Sequence, residues 1–245
     1  MKNFCCVLLF AIISMNARCQ DTQMKPEDTE DWSRRPEIVI PGEGTKPPSD
    51  AIVLYGGPED LDKWESQGEG GIQWEVGEFL TVKPHTGGIQ TKQDFGNVQL
   101  HIEWRTPEKV EGNGQERGNS GVFLMGRYEI QVLDSYDNET YYNGQAGSIY
   151  KDHIPLVNAC LPPGAWQKYD IIFEAPVFNK DGSLARPAFV TVIQNGVLIQ
   201  NHVLIHGTTD FIGIHKYTVH APRLPLALQD HNNPVSFRNI WIREL

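Results

Sequence analysis

Asn119-Ser120-Gly121-Val122-Phe123-Leu124-Met125-Gly126-Arg127-Tyr128-Glu129-Ile130-Gln131-Val132-Leu133-Asp134 reads as two β-strands. In the second, Arg127, Glu129 and Gln131 stand at every other position. Side chains alternate faces along a strand, so these three point one way. Tyr128, Ile130 and Val132 point the other way, into a core. A strand face given over to a guanidinium, an acid and an amide is the expected floor of a polar cleft.

The same alternation extends outward from this stretch. In Val98–Arg105, Leu100, Ile102 and Trp104 face one side while His101, Glu103 and Arg105 face the other. Further strands are read at 51–55, 79–82, 169–174, 188–194, 197–203, 226–229 and 235–243, and Ile38-Val39-Ile40 offers one more or an anchor. Asn195-Gly196 between two apolar runs is a hairpin signal. Gly112–Gly118 is a polar loop, 137–145 a turn-rich excursion and 147–165 a long irregular crossing. No amphipathic helix exceeds two or three turns and no repeat is found. Many short strands punctuated by Gly and Pro predict an all-β fold, an antiparallel sandwich of two stacked curved sheets with one face open to solvent.

The chain has 245 residues, enough for one large β domain. Lys2 followed by the apolar run Phe4–Ile13 and by Ala17-Arg18-Cys19 reads as an export signal, with cleavage before Gln20. That places the mature protein in the periplasm or the medium. Cys19 raises a lipoprotein alternative that Arg18 fits badly. The run is too short to span a bilayer and no later stretch is apolar enough to do so. Residues 20–50, rich in Asp, Glu, Pro and Gly, read as an arm, and 51–245 as the folded domain. Only Cys160 remains after the signal, so no intrachain disulfide forms and the core alone stabilises the fold. Cys160 is read as a packed hydrophobe rather than a nucleophile. The acids outnumber Lys and Arg by 31 to 21, and loss of the signal removes Lys2 and Arg18 but no acid. This balance argues against nucleic acid and anionic membrane as partners and serves solubility.

Glu129 leads the candidates for chemistry. With Gln131 and Asp134 it stands at i, i+2 and i+5, and one β-bulge would bring all three to one face. The spacing resembles the E-x-D-x-x-E arrangement of laminarinase-type glucanases on the concanavalin-like jelly roll, where two carboxylates flank the glycosidic bond. Here Gln131 replaces the middle acid and the shorter Asp134 the last, against an ordinary retaining mechanism. The competing reading pairs Glu129 with Arg127 or Arg105 across strands. Gln229 and His231 share parity at a strand end, and His231 suits proton transfer near neutral pH. His101 and Glu103 form a third polar pair. Trp166, Tyr141, Tyr142 and Tyr150 offer rings for stacking on a sugar, with Tyr142 and its neighbour the better placed. No H-x-x-x-H or similar metal-ligand spacing appears, and nothing calls for a cofactor.

Several segments resemble the 3-keto-disaccharide hydrolase domain family of the concanavalin A-like lectin/glucanase superfamily. They are Ile89–Lys92, Gln99–Arg105, Arg117–Phe123, Tyr128–Ser135, Pro155–Ala159, Trp166–Ile171, Asn195–Val197, Leu228–His231 and Pro234–Arg243. They run in order over residues 36–245. The resemblance implies a concanavalin A-like jelly-roll sandwich and a small glycoside substrate whose C3 hydroxyl a partner sugar oxidoreductase has oxidised to a ketone. The ketone acidifies the C2 proton, so one base, an oxyanion donor and an acid for the leaving oxygen suffice for elimination, and water then completes a net hydrolysis. Glu129 and His231 would share the roles of base and acid, with Gln131 and Arg127 donating to substrate oxygens. Two alternatives stand beside this: a non-catalytic carbohydrate-binding module, and a motif-drifted β-glucanase acting on unoxidised polymer.

Overall fold

A computed structural model describes residues 24–245. The expected signal peptide, with Cys5, Cys6 and Cys19, lies outside the described residues. Residues 24–38 belong to a unit of their own, with a short 3-10 turn at Pro26–Thr29 and an exposed Trp32. The second unit, Val39–Leu245, carries all the strands found among the described residues. Ile38-Val39-Ile40 forms no strand: Ile38 and Ile40 are exposed, and Ile40 bonds only to Ser49.

Two antiparallel sheets stack face to face. The larger runs in the order β13 (Val197–Leu204), β12 (Phe189–Gln194), β9 (Gln167–Glu174), β6 (Val98–Arg105), β15 (Ser236–Glu244), β4 (Leu80–Thr81) and β3 (Glu75–Val76). β1 (Ile52–Tyr55) also pairs with β15. The smaller runs β2 (Trp64–Ser66), β5 (Ile89–Phe95), β14 (Leu224–Leu228), β7 (Ser120–Leu124) and β8 (Tyr128–Val132). A separate hairpin joins β10 (Val177–Phe178) to β11 (Leu184–Arg186). The chain thus has the jelly-roll sandwich architecture expected of it.

Period-two patterning explains the packing. In β9, Gln167, Tyr169, Ile171 and Phe173 are buried while Lys168 and Ile172 are exposed. Leu100, Ile102 and Trp104 of β6 and Tyr128, Ile130 and Val132 of β8 enter the same core. Tyr128 meets Phe173 across the sheets at 5.8 Å between ring centroids. The Asn195-Gly196 turn adopts positive φ at both residues (52° and 82°), as a type I′ hairpin requires.

Three features position the smaller sheet's outer face. β7 and β8 pair without a register shift, setting Gly121 opposite Gln131 and Phe123 opposite Glu129. The Tyr169 hydroxyl reaches across the core and donates to the Gln131 carbonyl at 2.7 Å. The outer edge of β8 is closed by the irregular crossing: Gln131 N–H donates to the Ser148 carbonyl and Tyr150 N–H to the Glu129 carbonyl. This spares β8 an exposed edge and sets Tyr150 beside Glu129.

Candidate active site

A cleft of about 280 Å³ opens on that face, lined by Asn119, Phe123, Glu129, Gln131, Tyr150, Thr209, Phe211, Gln229 and His231. Its size lies near the lower end of ligand pockets, about 300 Å³. It suits a sugar ring better than a polymer groove.

Glu129 is its one carboxylate, 4 % exposed, and no Lys or Arg pairs with it among the described residues. Burial pushes its carboxyl from 4.5 up to about 8. Its side chain lies over Gly121, the diagonal neighbour on β7 whose missing Cβ leaves the space. The Gln131 amide has two orientations. In one, Nε2 donates to Gln115 Oε1 at 3.1 Å and Asn119 Oδ1 at 3.2 Å. Turned over, it donates to Glu129 Oε1 at 3.0 Å. The first leaves Gln131 Oε1 to accept a proton from neutral Glu129, and the second stabilises the carboxylate, so the amide suits both protonation states.

The other walls come from remote parts of the chain. Beyond β14, Gln229 N–H donates to the Gly121 carbonyl and Ser120 Oγ to the Gln229 carbonyl, at 3.0 and 2.7 Å. Gln229 Oε1 is buried without a hydrogen-bond partner, an acceptor suited to a substrate hydroxyl. Asp230 anchors the next turn by accepting from Thr86 N–H, Gly87 N–H and Asn232 N–H, which holds His231 at the cleft. Thr209 Oγ1 accepts the Glu129 N–H at 3.0 Å. The Tyr150 hydroxyl meets that of Tyr141 at 2.6 Å, and Lys151 Nζ sits over both rings and over Phe211.

The structure therefore gathers Glu129, Gln131, Gln229 and His231, and corrects the remaining expectations. Arg127 is not on the strand: β8 begins at Tyr128, and Arg127 closes the turn, donating to Thr218 at 3.3 Å outside the cleft. Tyr142 is 66 % exposed and lines no part of it; Tyr150 takes that place. His101 and Glu103 lie on the outer face of the other sheet. There His101 Nδ1 contacts Asp170 at 2.6 Å and Glu103 accepts from Arg238 at 2.8 Å. Burial opposes charge on Glu103, yet hydrogen bonds from His101, Arg238 and Asn239 outweigh it and hold the carboxyl down at about 2. Trp166 packs on that same face, under Arg238 and against Phe79. Cys160 accepts from Gln194, and burial pushes its thiol up to about 11, unsuited to a nucleophile.

Asp134 also lies elsewhere. No bulge interrupts β8, which ends at Val132, and Asp134 turns into a neighbouring cleft of about 380 Å³. Its Oδ2 accepts from Arg117 Nε at 2.6 Å, while Arg117 also donates to the Tyr136 and Asp137 carbonyls. The pair is a loop clamp, with side chains 13 % and 3 % exposed. Arg117→Ala strands the Asp134 charge and is expected to cost about 3–5 kcal/mol in a urea titration. Adding Asp134→Asn should recover most of that loss.

The sequence profile of the 3-keto-alpha-glucoside-1,2-lyase-like domain matches residues 50–243. The chain belongs to this family. The match bears out the resemblance to 3-keto-disaccharide hydrolases and places the protein among glycosyl-hydrolase-like enzymes. A crystal structure from Parabacteroides distasonis, described as a "putative glycosyl hydrolase", is 50 % identical with a TM-score of 0.86. The alignment covers 91 % of this chain and 98 % of that one. A second structure so described from the same organism is 20 % identical (TM-score 0.56, covering 80 % and 94 %) and shows the fold alone. No curated protein matches the sequence. Among the described residues, no helix is long and apolar enough to cross a membrane.

Proposed function

We propose that this enzyme cleaves small glycosides bearing a ketone at C3, by C2 proton abstraction and elimination. The observation that carries the reading is Glu129: a single, buried, unpaired carboxylate in a cleft otherwise lined by amides, hydroxyls and one imidazole. A retaining or inverting glycosidase needs two carboxylates about the scissile bond. The second carboxylate of the motif, Asp134, is held by Arg117 outside the cleft.

An α-keto C–H needs only one strong base. Ionised Glu129 takes the C2 proton, and the electron pair delocalises onto the C3 oxygen as an enolate. Return of that pair forms the C1–C2 double bond and expels the C1 oxygen, which takes a proton from His231. Gln131, Asn119 and Tyr150 supply donors for the developing oxyanion. Water added across the new double bond makes the net change a hydrolysis. A carboxyl with pKa about 8 is a far stronger base than an ordinary one, which is the use of its burial. The ketone implies that a sugar oxidoreductase acts first. The leader-like residues 1–19 support export of this enzyme to the periplasm or the medium, with lipidation of Cys19 the lesser alternative.

The test is product analysis with a simple glucoside and its 3-keto derivative, in heavy water. Release of the aglycone from the keto sugar alone, with solvent deuterium at C2 of the reformed sugar, is expected. Cleavage of the unoxidised glucoside instead would return the chain to the glucanases. Saturable sugar binding with no product would make it a lectin.

A further inference from the structure

Away from the cleft, Asp152, His153 and His206 bring three ligating side chains together, one donor atom from each within 4.8 Å of the others. Asp152 and His153 follow the segment that closes the edge of β8, and His206 lies just past the end of β13. The Asp152 side chain is only 7 % exposed, and its partners are imidazoles rather than Lys or Arg. Its Oδ1 lies 2.6 Å from His206 Nδ1 and 3.6 Å from His153 Nε2. Its Oδ2 accepts the His206 backbone N–H at 2.9 Å, which fixes the carboxylate's orientation. The two imidazoles stack at 5.4 Å between centroids, 25° apart in plane.

We propose that these three residues bind a divalent transition-metal ion of the zinc class. Two imidazole nitrogens and a carboxylate oxygen are donors that zinc and cobalt accept well and calcium and magnesium poorly. A tetrahedral ion with bonds of about 2.0–2.1 Å sets its ligand atoms roughly 3.4 Å apart. The His153–Asp152 separation of 3.6 Å is already close to that. His206, with a side chain 61 % exposed, has room to widen its 2.6 Å contact. Each ring frees its lone pair by a tautomer shift, from Nδ1–H to Nε2–H on His206 and the reverse on His153, so no net proton is released. His153 gives up its hydrogen bond to the Leu204 carbonyl, the main cost of the change. Water completes the fourth position on the exposed side of His206.

The ion would act as a clasp rather than in the glycoside chemistry. It would join the segment carrying Tyr150 to the one that leads into Thr209 and Phe211, and both contribute to the cleft wall. A lighter contact already runs in parallel, from Lys151 Nζ to the Phe211 carbonyl at 2.9 Å.

The test is calorimetric titration of the metal-stripped chain with zinc chloride, repeated with cobalt while following its visible ligand-field bands. One equivalent is expected to bind, raising the melting temperature. Because His206 is exposed, His206→Ala should fold normally and weaken binding by at least ~10-fold. Asp152→Asn should do the same, and His202→Ala, at another surface histidine, should change nothing. Absence of saturable binding, or binding that survives both His206→Ala and Asp152→Asn, overturns the proposal. None of these readouts involves glycoside turnover, so the outcome is independent of the proposed activity.

Discussion

Glu129→Gln is expected to reduce turnover of a 3-keto-glucoside by about 10²–10⁴-fold, the usual contribution of a positioned general base. The same change should stabilise the protein. The Glu129 carboxyl is raised from 4.5 to about 8 by burial in the folded chain. Stability from this group is therefore complete at pH below its unfolded value. It declines as pH rises from 4.5 towards about 8, because there the unfolded chain releases a proton that the folded chain keeps. At neutral pH the loss amounts to about 3 kcal/mol. Glutamine does not ionise, so the variant should melt roughly 6–12 °C higher at neutral pH for a domain of this size, with no gain below the unfolded pKa. Thermal melts across pH would read this directly. The activity profile supplies the complementary sign: a base must be ionised, so kcat/KM should climb as pH passes about 8. A profile that falls there would make Glu129 the acid. Full activity in the glutamine variant would remove it from the mechanism.

Gly121→Ala is the second change with a large expected effect, although it adds one methyl group. A Cβ at this position would lie 2.5 Å from Glu129 Oε1 and 2.7 Å from Phe123 Cε2, both closer than van der Waals contact allows. Gly121 sits within β7 and needs no positive φ, so alanine fits the strand backbone and the fold should persist. The carboxylate must move instead. A displacement of about 1 Å in a reacting group costs on the order of 10²-fold in rate. The expected result is a fall of that size in kcat with an unchanged circular dichroism spectrum. Retained activity would show that the reacting position of Glu129 is not the one over Gly121.

Both predictions turn on residues within one stretch of sequence, and the reason is physical. Alternation along a strand is a local property, so Glu129 and Gln131 on one face and Tyr128, Ile130 and Val132 on the other were legible without a structure. The same rule gave the strands Val98–Arg105 and 169–174, the hairpin at Asn195-Gly196 and, through them, an antiparallel β-sandwich. It failed where the strand stopped. Arg127 and Asp134 flank β8 by one and two residues, and there the turn and the Arg117 clamp set direction instead of the pleat.

Alternation also says which face a residue takes but not which sheet carries it. His101 and Glu103 obey the pattern as well as Glu129 does, yet their strand belongs to the larger sheet and points away from the cleft. Only tertiary structure decided that Gln229 and His231 would lie beside β7, because that follows from the pairing of β14 with β7 across a long stretch of chain. The same holds for Tyr150, Thr209 and Phe211, which lie in irregular segments without periodicity: Tyr150 and Thr209 reach the cleft by hydrogen bonds to Glu129, and the Phe211 carbonyl accepts from Lys151. The sequence by itself determined many of the strands, though not β5 of the smaller sheet, together with their inner faces and the acid at the centre. Long-range pairing and loop closure determined which side chains surround that acid, since burial against distant neighbours, and not the acid's own sequence context, raises its pKa to about 8.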